Sequence, residues 1–456
     1  MHISGAWKFP MRVDVMDRLK KLVTQAMANY YLYQLKKDQW KDPQQLKEIQ
    51  FKKLRAIIKH AYDYVPYYHR LFKSVNIRPD DIRNFEDARK IPPLSKKDVQ
   101  QNFTSLVARG INTSRLSVGV TSGSTGIPLK LLHDPSFTRA GYQSAVTSYV
   151  LFERGVKPGD NFVTVWGRAS ESVRWGKKYV RLWKGINETV VPLFSPTKLV
   201  RILRLIKPDI LNTFPSVLIT LADYGVSEIH PRVIFTGGEV VTEHCREVCR
   251  KAFGLEPFEG YGCVEFGNLA FDCEEHCGLH MITNIAFIEF IDETGEWVSA
   301  GEQGEIVVTG FLNYVMPFIR YRIGDLGIPT DEKCACGRSW PLIKSIQGRI
   351  NDFLVLPSGK KISYLYVQRA IFHRILRKNI FAITQYQIVQ DRRDRIILKI
   401  VKGREFGPRI LDMIKKSLES EFERLGEPLE VNVEIVDEIP MGRTGKRRLL
   451  ISKVIQ

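Results

Sequence analysis

Five short stretches hold most of the side chains that could do chemistry. The first, TSGSTGIPLK (121–130), sets Thr121, Ser122, Ser124 and Thr125 around Gly123 and Gly126, with Lys130 just beyond. It is too polar for a core and too rich in glycine for a stable helix. Glycines let backbone N–H groups turn inward. With the hydroxyls they can hold the non-bridging oxygens of a polyphosphate. The same composition also makes an ordinary turn, and Lys130 can pair with phosphate charge or simply face solvent. A Walker A loop is excluded, because its Gly-Lys-Ser/Thr ending is absent.

Three further stretches set glycine beside a carboxylate. PRVIFTGGEV (231–240) reads as a strand opening into Gly237–Gly238, where a flat base can approach the backbone; the plainer alternative is a tight turn. EGYGCVEFG (259–267) offers Tyr261 to cover a base and Glu265 to ligate magnesium, or a core tyrosine and a surface carboxylate. RYRIGDLG (320–327) supplies Asp325 after an apolar strand, to accept ribose hydroxyls or to form a turn. MGRTGKRRLL (441–450) presents Lys446 among Arg443, Arg447 and Arg448, which by itself reads as a basic tail.

The elements that must position these groups change character along the chain. Of 456 residues, 44% are hydrophobic, enough for two or three folding units. Residues 12–95 read as mostly helical, with DPQQLKEIQFKKLRAIIKHAYDYV the clearest amphipathic run and VPYYHRLF breaking its pattern. From about 112, short strands (LSVGV, IPLKLLH, NFVTVWG, ETVVPLF, DILNTF, RVIFTGG) alternate with helices. This is an α/β pattern expected to form layered sheets. Residues 281–330 are richer in strands, with ETGE as a turn. After GRIND (348–352), two strands flank the helix GPRILDMIKKSLESEFERL, as in a small α+β domain. The division expected is 1–95 helical, 96–348 α/β body, and 349–456 small domain.

No run of about 18 apolar residues is present, so no membrane span is expected, and the first residues lack a signal-type apolar stretch. The reading is a cytoplasmic protein. The formal charge of +18 suits an anionic ligand. Its basic residues are scattered, without an arginine–glycine repeat or an aromatic RNA-binding motif, which argues against nucleic acid as the main partner. Seven cysteines, an odd number, argue against a fully paired disulfide framework.

TSGSTG, YGCVE, RYRIGD, GRIND and RTGK occur in an order that resembles the adenylate-forming ligase superfamily. The closer resemblance is to the phenylacetate–CoA ligase, coenzyme F-390 synthetase and CapK-like branch, through KLRAIIKHAYDYVPYYHRLF and IPPLSKKDVQQNF. It implies an adenylate-forming ligase fold: a large multi-sheet body with a smaller mobile α+β domain. It also implies ATP and magnesium used to activate an organic, possibly aromatic, carboxylic acid, with CoA as the acceptor. By this resemblance Ser122, Gly123, Ser124, Thr125 and Gly126 form the phosphate loop, with Thr125 also counted as catalytic. Gly238 and Glu239 line the adenine pocket, Tyr261 flanks the base and Glu265 holds magnesium. Asp325 holds ribose, Arg349 contacts ribose or the domain junction, and Lys446 is the catalytic lysine. An ammonium there would stabilise negative charge gathering as a carboxylate attacks the α-phosphorus.

Asn351 stands where many relatives carry a hinge aspartate or lysine, which leaves the thioester-forming step open. Relatives also have a similar cysteine, GLH and CxC arrangement, which implies a structural zinc site at Cys273, His280, Cys334 and Cys336. His276 and Cys277 are alternative ligands in the same loop. In NFVTVWGRASESVRWGKKYVRLW, Trp166 can line an apolar acid pocket and Arg168 can meet an anion; each can equally be structural. The resemblance allows a homodimer, which no repeat in the chain specifies. Two other readings are an adenylyltransferase without CoA transfer, and a non-catalytic nucleic-acid-binding or scaffold protein on a degenerate ligase fold.

Overall fold

The computed structural model describes residues 15–120, 129–168, 181–183, 186–350, 352–371, 376, 379–440 and 447–454. Three helices begin it: α1 (Val15–Asp38), α2 (Pro43–Tyr64) and α3 (Pro66–Ser74). Asp42 caps α2, its carboxylate accepting the Gln44 N–H, with Pro43 in the first turn. The periodic Leu46, Leu54, Ile57 and Ile58 are all buried. VPYYHRLF does not end the helical region. Pro66 opens α3, because a proline in the first turn forfeits no helical hydrogen bond. Tyr68 and Phe72 of α3 are fully buried, worth about 1.5–3 kcal/mol for a side chain of that size. Beyond Ser74 the chain runs through short 3-10 turns.

A buried arginine fixes the next segment. Arg320 pairs with Glu289 at 3.1 Å and donates to the carbonyls of Arg89 and Ile91, each at 2.8 Å. Leu94 bridges in parallel to Tyr321. Helix α4 (Lys96–Gln101) then starts from a reciprocal cap between Ser95 and Asp98. A two-stranded ribbon follows, β1 (Ser117–Val120) and β2 (Lys130–His133), in antiparallel register Val120↔Lys130. Residues 121–128, between its strands, lie outside the described residues. Helix α5 (Phe137–Phe152) packs on α1, with Tyr31 stacked on Tyr142 at 3.7 Å.

The body is organised by one twelve-stranded sheet. Its strands are β3 (Asn161–Arg168), β4 (Arg181–Trp183), β5 (Ile186–Leu193), β6 (Ile210–Thr213), β7 (Val233–Gly237) and β8 (Phe258–Cys263). They continue as β9 (Gly267–Asp272), β10 (Leu279–Met281), β11 (Ala286–Ile291), β12 (Gly304–Gly310), β13 (Tyr321–Thr330) and β14 (Leu342–Arg349). The spatial order is 11-12-13-14-10-9-8-7-6-3-5-4. Strands β5, β3, β6, β7 and β8 run parallel, and the β8–β14 side is antiparallel. Helices α6 (Pro196–Ile206), α7 (Pro215–Asp223) and α8 (Glu243–Phe253) connect the parallel strands. Cys245 and Cys249 are both buried on α8. ETGE forms the turn after β11, where Asp292 N–H donates to the Glu296 carbonyl.

The remaining chain builds its own core around Leu354, Leu398, Ile414 and Phe422. It has a ribbon, β15 (Phe353–Val355) and β16 (Lys361–Ser363), and a helix α9 (Tyr364–Ile371). Strands β17 (Ile383–Arg392) and β18 (Arg395–Lys402), helix α10 (Ile410–Arg424), and strands β19 (Glu430–Ile435) and β20 (Leu450–Ser452) complete it. Their four-stranded order is 19-18-17-20.

Candidate active site

Parallel strands bring their carboxyl ends to one edge, and ligand crevices form there. At this edge β7 ends in Gly237, and Gly238 turns with φ +77°. Glu239 follows. Its carboxylate accepts the Ser216 N–H at 3.0 Å and the Ser216 hydroxyl at 3.1 Å. Phe214, the residue before α7, offers no capping side chain, so Glu239 caps α7 from another element. The same carboxylate takes the backbone N–H of Arg447. Burial pushes its pKa up, and the Ser216 bonds oppose that rise. Glu239 is therefore engaged with α7 and Arg447, which leaves the Gly238–Glu239 backbone as the part that can face a base.

Tyr261 lies within β8, not in a loop. It is buried and donates to Asp325 at 3.0 Å. Burial, then the Asp325 charge, hold its phenol far above the usual range. The next residue must be glycine, since a Cβ at Gly262 would lie 2.2 Å from the Gly267 carbonyl oxygen. Asp325 sits inside β13 rather than after it, opposite Arg349 in β14, with the Arg349 Nε 3.5 Å from its second oxygen. Glu265 occupies the tight turn between β8 and β9 and accepts a 3.4 Å bond from Tyr321. Tyr261, Glu265, Asp325 and Arg349 thus meet across three neighbouring regions of the sheet. Ser122, Gly123, Ser124, Thr125, Gly126, Asn351 and Lys446 lie outside the described residues.

One charged neighbour was not singled out in the sequence. Lys96, at the start of α4, has its pKa lowered by burial and by Arg349, while Glu265 opposes the shift. Arg320 and the Leu94 bridge bring it there from a distant part of the chain. The signal available was IPPLSKKD itself, a proline-led helix start with a cap and a following lysine. Trp166, at the end of β3, is 38% exposed and lies 3.9 Å from the Phe214 ring. The side chain of Arg168 is outside the described residues.

Beside this edge is a cavity of about 540 Å³, lined by α8, β8, β14 and α9. Glu259, Arg246 and Asp272 are among its charged lining residues, and Glu243, Glu247 and Lys344 line it as well. Arg246 lies 3.3 Å from Asp272 and 3.9 Å from Glu259. Burial raises the Glu259 pKa to about 7, against the pull of Arg246.

A second cluster stands at the far ends of β9 and β10. Cys273 follows β9, His280 lies in β10, and Cys334 and Cys336 lie between β13 and β14. Pairing of β10 with both β9 and β14 closes these segments on one another. The four ligand atoms all fall within 4.8 Å of one another. Cys273 and Cys334 sulfurs are 3.5 Å apart, and Cys336 Sγ is 3.3 Å from His280 Nε2. A tetrahedral zinc shell has ligand separations of about 3.3–3.8 Å, so the donor set fits. Burial, then Arg338, depress the His280 pKa to about 4, which favours the neutral form a metal needs. Burial acts to raise the Cys336 pKa, but hydrogen bonds from Arg338 outweigh it and the thiol falls below its usual value. His276 is instead bonded to Asp272 at 2.6 Å, and Cys277 is exposed.

A mixed sheet with a parallel half, closed by a small α+β domain at its carboxyl edge, defines an adenylate-forming ligase fold. A family model described as the CapK C-terminal domain matches residues 354–453. The phenylacetate-coenzyme A ligase of Thermus thermophilus is 26% identical over 69% of this chain and 72% of its own. Protein CapK of Staphylococcus aureus is 23% identical over 95% of each chain. The solved 2-hydroxyisobutyryl-CoA ligase, in its postadenylation state, overlays with a TM-score of 0.75 at 19% identity, covering 90% of both chains. The chain is thus similar in sequence to phenylacetate–CoA ligases and to CapK, and its fold is that of the adenylate-forming CoA ligases. No helix among the described residues is long and apolar enough to cross a membrane.

Proposed function

We propose that this protein uses ATP to convert a carboxylic acid into an acyl-adenylate, and then transfers the acyl group to CoA. The observation that carries the reading is the convergence of Tyr261, Asp325, Arg349, Glu265 and Lys96 at the carboxyl edge of the sheet, beside the Gly238–Glu239 turn that holds Arg447. Asp325, held between Tyr261 and Arg349, is the carboxylate that would accept from ribose hydroxyls. Arg349 and Lys96 supply positive charge toward the phosphates, and Ser122–Gly126 supply donors to their oxygens. Lys446, one residue before the anchored Arg447, brings the charge that stabilises the pentacoordinate α-phosphorus. The acid's carboxylate oxygen attacks that phosphorus, and pyrophosphate leaves. The CoA sulfur then displaces AMP from the acyl carbon.

Glu265 is the residue that would hold magnesium, which neutralises phosphate charge when bound. Cys273, His280, Cys334 and Cys336 would hold a structural zinc, leaving no open position for catalysis. Trp166, with Phe214 behind it, offers an apolar face to the acid.

Pyrophosphate release from ATP and magnesium, across a panel of organic acids with and without CoA, tests this reading. Acid-dependent release should fall at least about a hundredfold in Lys446→Ala, with the ATP KM little changed. No release with any acid, alongside no measurable binding of magnesium–ATP, would sink it. A second reading is favoured by the match of the small domain to CapK and the near-complete alignment with that protein. In it, the adenylate or its AMP passes to an acceptor other than CoA. Acyl-CoA detected by mass selects the first reading; an accumulating adenylate selects the second.

A further inference from the structure

The small domain is fastened to the body at a place remote from the nucleotide loops. Ile380 and Phe381, just before β17, are buried in the body's own cluster with Leu218, Leu221 and Val248. Arg404, just after β18, lies over the Phe381 ring at 3.6 Å. Its guanidinium donates to the Ala222 carbonyl at 2.7 Å and the Asp223 carbonyl at 3.3 Å. Those carbonyls end α7, where helical partners run out and positive charge is favoured. The Arg404 N–H also donates to the Asp223 carboxylate at 2.9 Å. On α8, His244 is bonded to the backbone of Ile383, the first residue of β17.

Strand β17 in turn carries both ends of the segment that contains Lys446. Gln385 accepts the Ile439 N–H at 3.1 Å. Gln387 donates to the Arg448 carbonyl at 2.8 Å, and Ile388 N–H donates to the Leu449 carbonyl at 2.8 Å. One strand therefore links the α7 contact to residues 439 and 448. The other end of α7 is Ser216, whose Glu239 cap holds Arg447. Helix α7 is the common support of both.

We infer that Arg404, together with Asp223 and the Phe381 plug, forms a latch that seats β17 on α7 and thereby holds Arg447 at the Glu239 turn beside the nucleotide site. Arg404 is a positioning residue here, acting through β17. The inference rests on the acid-activating reading only for its kinetic effect, since the seating itself is a structural statement. The residues concerned are about 180 positions apart, Asp223 on the body and Arg404 on the small domain.

The test compares the full-length wild type with Arg404→Ala and Arg404→Lys. Two readouts are needed: pyrophosphate release with a saturating acid, and tryptic cleavage between Arg443 and Arg448 followed by mass spectrometry. In Arg404→Ala, kcat should fall about tenfold while the ATP KM stays within about twofold, because the body's nucleotide residues are untouched. Cleavage at 443–448 should become about fivefold faster, with other sites unchanged. Arg404→Lys should recover most of both, since an ammonium can reach the same carbonyls. Unchanged kcat and cleavage in Arg404→Ala would overturn the latch. So would faster cleavage throughout the chain with no recovery by lysine, which marks general loosening. Should the wild type release no pyrophosphate with any acid and bind no magnesium–ATP, the acid-activating reading fails, and the cleavage comparison alone decides the latch.

Discussion

Lys96 reaches the site by a chain of local causes. Arg320, buried against Glu289, fixes the carbonyls of Arg89 and Ile91, and Leu94 joins β13. Ser95 then starts a helix whose first side chain lies near Glu265 and Arg349. Burial and Arg349 disfavour its charge in the unliganded protein, and a phosphate would offset that cost. Lys96→Ala should therefore lower kcat/KM for ATP by about ten- to a hundredfold, measured by pyrophosphate release at varied ATP. A variant within twofold of wild type would place Lys96 outside the phosphate site.

The four-ligand cluster belongs to the scale of elements. It joins the end of β9, strand β10 and the β13–β14 connection, which are otherwise held by short ladders of two and three residue pairs. Metal analysis should find about one zinc per chain, and Cys336→Ser should lose it. The same variant should melt several degrees lower, because closing these segments then loses its cross-link. Unchanged zinc content in Cys336→Ser would refute the ligand set. Helix α3 carries a lesson at the same scale. Pro66 reads as a breaker within a helical run, but it stands in a first turn, and Tyr68 and Phe72 complete the core behind it.

At the scale of the whole molecule, the two cores meet around a cavity that α9 helps to close. Glu259 is largely, not fully, buried there, and desolvation raises its pKa to about 7. A carboxyl with a raised pKa adds stability that is fully present below about pH 4.5 and is lost as pH rises through about 7. Glu259→Gln cannot ionise, so its melting temperature relative to wild type should climb between pH 5 and pH 8. An equal offset at both pH values would show that Glu259 is already ionised in the folded protein.

Residue chemistry alone marked the places where backbone must turn and charge must sit. Gly238 and Asp325 were legible because glycine and carboxylate have few structural substitutes, and the resemblance named the Cys273, His280, Cys334 and Cys336 side chains that the fold gathers. The ordered motifs carried the fold class as well, and the strand and helix rhythm followed from periodicity alone. The placement of Asp325 and Tyr261 within strands was less legible, because β13 and β8 run past the glycines that mark their turns. That Glu239 caps α7, that Lys96 lies near Glu265, that His276 stays with Asp272, and that Arg404 ends α7 from the small domain came only from three-dimensional packing. Each of these depends on groups distant in sequence meeting through the sheet or across the two cores. Local propensity has no term for such a meeting; packing and the need to satisfy buried polar groups supply it.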